Sequence, residues 1–133
     1  MNRINKRIYI AAFIIYLAAV FVLCFIKGDN LPEVEKFIFG LPVDKAAHFV
    51  MFLPFPILAS MSIIRKEHGI GRSLLVLAIL TITGSGIAYG TEVIQAHTGY
   101  RSYEIADFMA DATGICIGCL ATAAYIIIQK HRQ

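Results

Sequence analysis

Four long apolar stretches, at residues 8–26, 46–64, 74–94 and 105–128, constrain this chain more than any other feature. A helix rises about 1.5 Å per residue, so about 20 apolar residues in succession cross the hydrocarbon core of a bilayer. The four stretches leave only short connections and tails among the 133 residues, so the chain reads as one domain over 1–133. Composition agrees: apolar residues reach 58%, charged residues only 16%, and mean hydropathy is +0.70. That is more apolar surface than a soluble core of this size encloses. Disorder is excluded, because it requires low hydrophobicity. Three Cys scattered through apolar runs make no disulfide framework. A net charge of +3, divided by position, makes no nucleic-acid surface. The expectation is an all-α integral membrane protein, a bundle of four transmembrane helices whose first partner is the lipid bilayer.

Charge orients the bundle, because Lys and Arg accumulate on the cytoplasmic side. With the N-terminus inside, Arg3, Lys6, Arg7, Arg65, Lys66, Arg72, Lys130 and Arg132 are cytoplasmic, eight of the twelve basic residues. Lys27, Lys36, Lys45 and Arg101 fall in the outer half, with every acid except Glu67. Both termini are therefore expected in the cytoplasm. The first span reads as an uncleaved anchor, since no small-residue cleavage site follows it. Pro54 and Pro56 predict an interruption inside the second span. Gly84, Gly86 and Gly90 in the third span, with Gly114 and Gly118 in the fourth, predict close helix packing. Between the first two spans, residues 31–39 carry Pro32 at a helix start with Glu33 and Glu35 behind it. This pattern predicts a short amphipathic outer helix.

The polar residues converge at one end. Asp44, Lys45 and His48 open the second span, Glu92 and Gln95 close the third, and Glu104, Asp107 and Asp111 open the fourth, with Arg101 in the preceding loop. Asp44 and His48 are four apart, on one helix face. Glu104, Asp107, Asp111, Gly114 and Gly118 step along a single stripe, so the acids share the face that packs. Asp111 would then lie about 10 Å deeper than Glu104. Ionisable groups inside a membrane face a partner or a wet cavity. Lys45 and Arg101 read foremost as ion-pair partners for the acids, and Glu104 as a solvated residue. His48, Glu92, Asp107 and Asp111 carry the stronger functional reading, His48 as a base, proton carrier or ligand. Cys24, Cys116 and Cys119 read as small apolar residues, and His68, His97 and His131 as interfacial ones.

In these blocks the chain resembles the VanZ-like family of small bacterial membrane proteins. The resemblance rests on Asp44-Lys45-Ala46-Ala47-His48-Phe49 with Phe52, then Gly90-Thr91-Glu92-Val93-Ile94-Gln95. It continues through Arg101 and Asp107 to Asp111-Ala112-Thr113-Gly114, covering residues 40–118. The chain departs from the family pattern at Asp111, where Asn is usual, which adds a carboxylate to the cluster. The family is named for a protein linked to teicoplanin resistance. The resemblance implies a multi-pass protein of the bacterial cytoplasmic membrane, with an envelope-associated, antibiotic-response role.

Three functions are expected to compete. The first is a binding protein whose outward polar site takes a lipid-linked envelope component or a lipid-tailed glycopeptide. The second is a membrane-embedded hydrolase or transferase acting on a lipid-linked head group, using Glu92, Asp107 and His48 as acid, base or divalent-metal ligands. No nucleophile with a local signature is evident, and the residues assign no cofactor or resident metal. The third is an ion or proton pathway, disfavoured because the inner halves of the spans offer only hydroxyls and thiols. A homo-oligomer through an unused small-residue face is left open, as is the question of catalysis itself.

Overall fold

A computed structural model describes residues 3–25, 37–38, 40–65, 67–98 and 104–131. Its elements are α1 (Arg3–Phe25), β1 (Phe37–Ile38), β2 (Leu41–Pro42), α2 (Val43–Phe52), α3 (Phe55–Ile63), α4 (Ile70–Thr98) and α5 (Ile105–His131). Four helical segments are long and apolar enough to cross a membrane: Lys6–Cys24, Val43–Ile63, Ile70–His97 and Ile105–His131. The four-span expectation stands, with shifted ends. The second span begins at Val43 rather than 46, because Asp44 and Lys45 are already helical. The third runs from Ile70 to beyond Gln95, so Glu92 lies within the helix, more than a turn from its end.

The expected outer helix over 31–39 falls mostly outside the described residues, and its described end is extended instead. Phe37 pairs with Pro42 and Ile38 with Leu41, antiparallel, across Gly40 at φ +79°. Glycine adopts that left-handed backbone at little cost, and the aromatic and β-branched residues before it favour a strand. This two-residue hairpin delivers the chain directly into α2.

Pro54 and Pro56 divide the second span into α2 and α3 as the sequence predicts. Leu53 still donates to Phe49 O at 3.1 Å, and Leu58 donates to Pro54 O at 2.9 Å. Neither proline has an N–H, so the rungs that would end on residues 50 and 52 are missing. Pro54 sits at φ −73°, ψ −14°, and the proline of α3 falls in its first turn, where a missing donor costs least.

The fourth span, α5, uses this interruption as its seat. A Cβ on Gly114 would collide with the carbonyl oxygen of Phe49, and one on Gly118 with that of Leu53. Here α5 and the α2–α3 junction touch backbone to backbone, the close approach that small residues permit in membranes. The third-span glycines behave differently. A Cβ on Gly84 would meet only the Phe55 ring, while Gly86 and Gly90 face nothing within 4 Å among the described residues.

Val20, Cys24, Phe52, Ala88 and Ile115 form the buried centre, with Tyr16, Met51 and Phe108 against it. Tyr16 donates to Met51 O at 2.7 Å, and Ser62 Oγ bonds Tyr9 O at 3.0 Å, tying α1 to the second span. Outward, Ile15, Ile82 and Leu120 are 70%, 73% and 70% exposed, an apolar perimeter suited to acyl chains. Four threonine hydroxyls within the spans turn onto their own backbone. Thr81, Thr83, Thr113 and Thr122 each donate to the carbonyl four residues earlier, at 2.7–2.9 Å.

Substitution of Gly114 by Ala is expected to destabilise the bundle by about 1–3 kcal/mol, because backbone must move to admit the methyl group. Gly86→Ala is expected to leave stability unchanged or raise it by up to about 1 kcal/mol through helix propensity. Unfolding in mixed micelles measures both, and equal losses would show that the α5 seam is not the close contact described.

Candidate functional site

Asp44, Lys45, His48, Glu92, Asp107 and Asp111 lie together at one end of the bundle. Asp44 lies in the first turn of α2 and Asp107 in the first turn of α5, where carboxylates complement the positive end of the helix dipole. The four-residue steps carry His48 and Asp111 one turn deeper. Glu92 reaches the same depth from α4. Along α5, Asp107, Asp111, Gly114 and Gly118 are all buried and Glu104 is exposed, so the stripe is buried below its rim.

Two centres share Asp107. At the rim, Lys45 Nζ lies 2.8 Å from Asp44 Oδ2, 2.5 Å from Glu104 Oε2 and 2.6 Å from Asp107 Oδ1. An ammonium has three N–H donors, and here each has a carboxylate. The Lys45 side chain keeps 20% exposure and Glu104 keeps 50%, while Asp107 is 5% exposed. Lys45 therefore acts as the ion-pair partner its position suggests. Glu104, expected in solvent, is half-exposed but drawn onto it. The signal for that pairing was its three-residue spacing from Asp107.

Below the rim lies a fully buried polar group. His48 Nδ1 is 3.0 Å from Asp111 Oδ1 and 3.6 Å from Glu92 Oε1, and His48 Nε2 is 3.9 Å from Asp107 Oδ2. A carboxylate only accepts, so an ionised Asp111 takes a hydrogen bond from Nδ1–H and fixes the ring. His48 is 4% exposed, Glu92 1% and Asp111 0%. Asp111 Oδ2, also buried, has no hydrogen-bond partner among the described residues.

Gln95 is 2% exposed, and its Nε2 donates to Cys24 O at 2.5 Å, which ties α4 to the end of α1. Sequence spacing placed it beside Glu92 but gave no sign of this bond across 71 positions. Arg101 lies outside the described residues. Away from the site, His68 connects α3 to α4, where desolvation and then the Arg72 and Arg65 charges hold its pKa below the ordinary value.

Chemically, the site combines five carboxylates, one ammonium and one imidazole from three helices. It offers hydrogen-bond acceptors and negative charge to a polar group arriving from the water side. It also offers an oriented imidazole beneath. Comparison with protein-family models, with curated proteins and with solved structures finds no match for this chain.

Removing the Lys45 charge leaves Asp107 buried without its cation, so Lys45→Met is expected to cost about 2–3 kcal/mol. Glu104→Gln, at a half-exposed pair, is expected to cost under about 1 kcal/mol. Thermal unfolding in detergent distinguishes the two. A Lys45→Met variant as stable as wild type would mean that the ammonium contributes nothing to holding α2 against α5.

Proposed function

We propose that this chain is a VanZ-like protein of the bacterial cytoplasmic membrane, with both termini in the cytoplasm. Its polar site then opens outward, to bind the head group of an envelope component or a lipid-tailed glycopeptide of the teicoplanin kind. The orientation is supported by Arg65 and Arg72 around the α3–α4 connection, at the opposite end of the second and third spans from the site. The observation that carries the binding reading is the burial of His48, Glu92, Asp107 and Asp111 at the mouth of a helix bundle, below a partly exposed Lys45. Buried charges from three helices are costly to assemble inside a membrane and mark a site of use. Exposed Val50, Ile94, Ile105 and Met109 on the same helix ends suit the lipid part of such a ligand.

A second reading is favoured by one contact. His48 held by Asp111 at 3.0 Å has the form of an oriented general base, as a hydrolase or transferase acting on a lipid-borne head group would need. The two readings separate on turnover: a binding protein retains its ligand unchanged.

Loss of the gene, and separately Asp107→Asn, is expected to lower the concentration of teicoplanin that inhibits growth. Sensitivity to a drug acting in the cytoplasm should stay the same. Growth assays on strains with matched protein levels measure this, and unchanged teicoplanin sensitivity in both strains would refute the binding reading.

A further inference from the structure

The two polar centres differ in what the chain itself supplies. The ligand atoms of Asp44, Glu104 and Asp107 lie within 4.8 Å of one another, and so do those of His48, Glu92 and Asp107. In the rim triad the cation is built in, since the Lys45 ammonium sits on all three carboxylates. All three of its donors are thereby engaged, and none is left for the deeper triad.

We infer that His48, Glu92 and Asp107 form a binding site for a divalent cation of the Mn²⁺ class, with Asp111 as the carboxylate that orients His48. Four features support this. The three ligands come from α2, α4 and α5, so a shared cation would join helices whose like charges otherwise oppose each other. Bonds of about 2.1 Å set neighbouring ligands about 3 Å apart and opposite ones about 4.2 Å apart. The separation of 3.9 Å between His48 Nε2 and Asp107 Oδ2 falls within that range and is too long for a hydrogen bond, and Glu92 joins them within the common 4.8 Å limit. The third feature is the Asp111 contact itself. A metal-binding His gives its other N–H to a carboxylate, and Nδ1–H on Asp111 leaves the Nε2 lone pair facing Asp107 Oδ2.

The fourth feature is independent of the triad. Asp111 Oδ2, on a wholly buried side chain, has no hydrogen-bond partner among the described residues although its twin oxygen holds His48. A buried carboxylate oxygen needs a positive or donating neighbour, and a cation in the adjoining triad would balance the Asp111 charge through the imidazole that Asp111 holds. One imidazole with carboxylates suits Mn²⁺ better than Ca²⁺, which takes six to eight oxygens, or a structural Zn²⁺ site rich in Cys and His. This assignment stands apart from the head-group reading and does not depend on it.

The test is titration of the full chain, purified in a phosphate-free detergent and stripped with chelator, with manganese chloride alone and detection by electron paramagnetic resonance. Wild type is expected to bind about one Mn²⁺ per chain, with nitrogen coupling from a single imidazole in the pulsed spectrum. Glu92→Gln and His48→Gln are expected to weaken binding at least about tenfold, and Glu104→Gln less than about twofold. The wild-type spectrum decides even where a variant fails to fold. No saturable binding, or saturable binding without nitrogen coupling, overturns the proposal. So does a loss in folded Glu104→Gln as large as that in folded Glu92→Gln, because the ion would then sit on the acidic rim.

Discussion

Everything at the polar end depends on how closely α5 approaches the interrupted second span. Gly114 and Gly118 bring the α5 backbone onto Phe49 and Leu53, and that contact sets both the depth and the rotation of the helix. Gly114 is one turn below Asp111, and Phe49 directly follows His48. The seam that excludes a side chain at one level therefore brings His48 and Asp111 to 3.0 Å at the next. In lipid there is no hydrophobic gain in pressing two apolar helices together, so packing geometry and polar contacts must hold them. Here the two act in sequence along one stripe.

Much of this was legible in the chain because helical periodicity is rigid. Steps of three and four from Glu104 to Gly118 need only one straight helix to become a face, and α5 runs unbroken from Ile105 to His131. Pro54 and Pro56 announced the interruption for a local reason, the absence of two N–H donors. Features that depend on three dimensions were less legible. The small residues of the third span resemble those of the fourth, yet only Gly114 and Gly118 meet a partner's backbone, because a glycine pattern does not say what lies opposite. The bond from Gln95 to Cys24 O joins distant positions and has no local signature. The expected outer helix over 31–39 reaches into Phe37–Ile38, which are extended instead, because their pairing with Leu41–Pro42 depends on the turn at Gly40 beyond that segment. Lys45 stands beside Asp44 in the chain, but that it also meets Glu104 and Asp107 is decided by a helix end 59 and 62 positions away.

The charge arrangement divides labour between Lys45 and His48. Lys45, partly open to water, pairs with the rim acids and holds α2 to α5 at modest desolvation cost. His48 lies deeper, where solvation is weaker and each unbalanced carboxylate weighs more. Asp107 belongs to both levels, with Oδ1 on Lys45 and Oδ2 facing His48. A ligand or ion that engages His48 is thus coupled through one side chain to the ion pairs at the mouth.

The register of α5 against α2 is the central claim, and a double-mutant cycle on His48→Gln and Asp111→Asn tests it most directly. Unfolding free energies of wild type, both single variants and the double variant give the interaction between the two positions. A pair in contact at 3.0 Å should show a coupling of about 1–3 kcal/mol, with the double variant losing less than the two single losses together. Additive losses would contradict the account, because they would mean that the glycine seam does not bring His48 and Asp111 together.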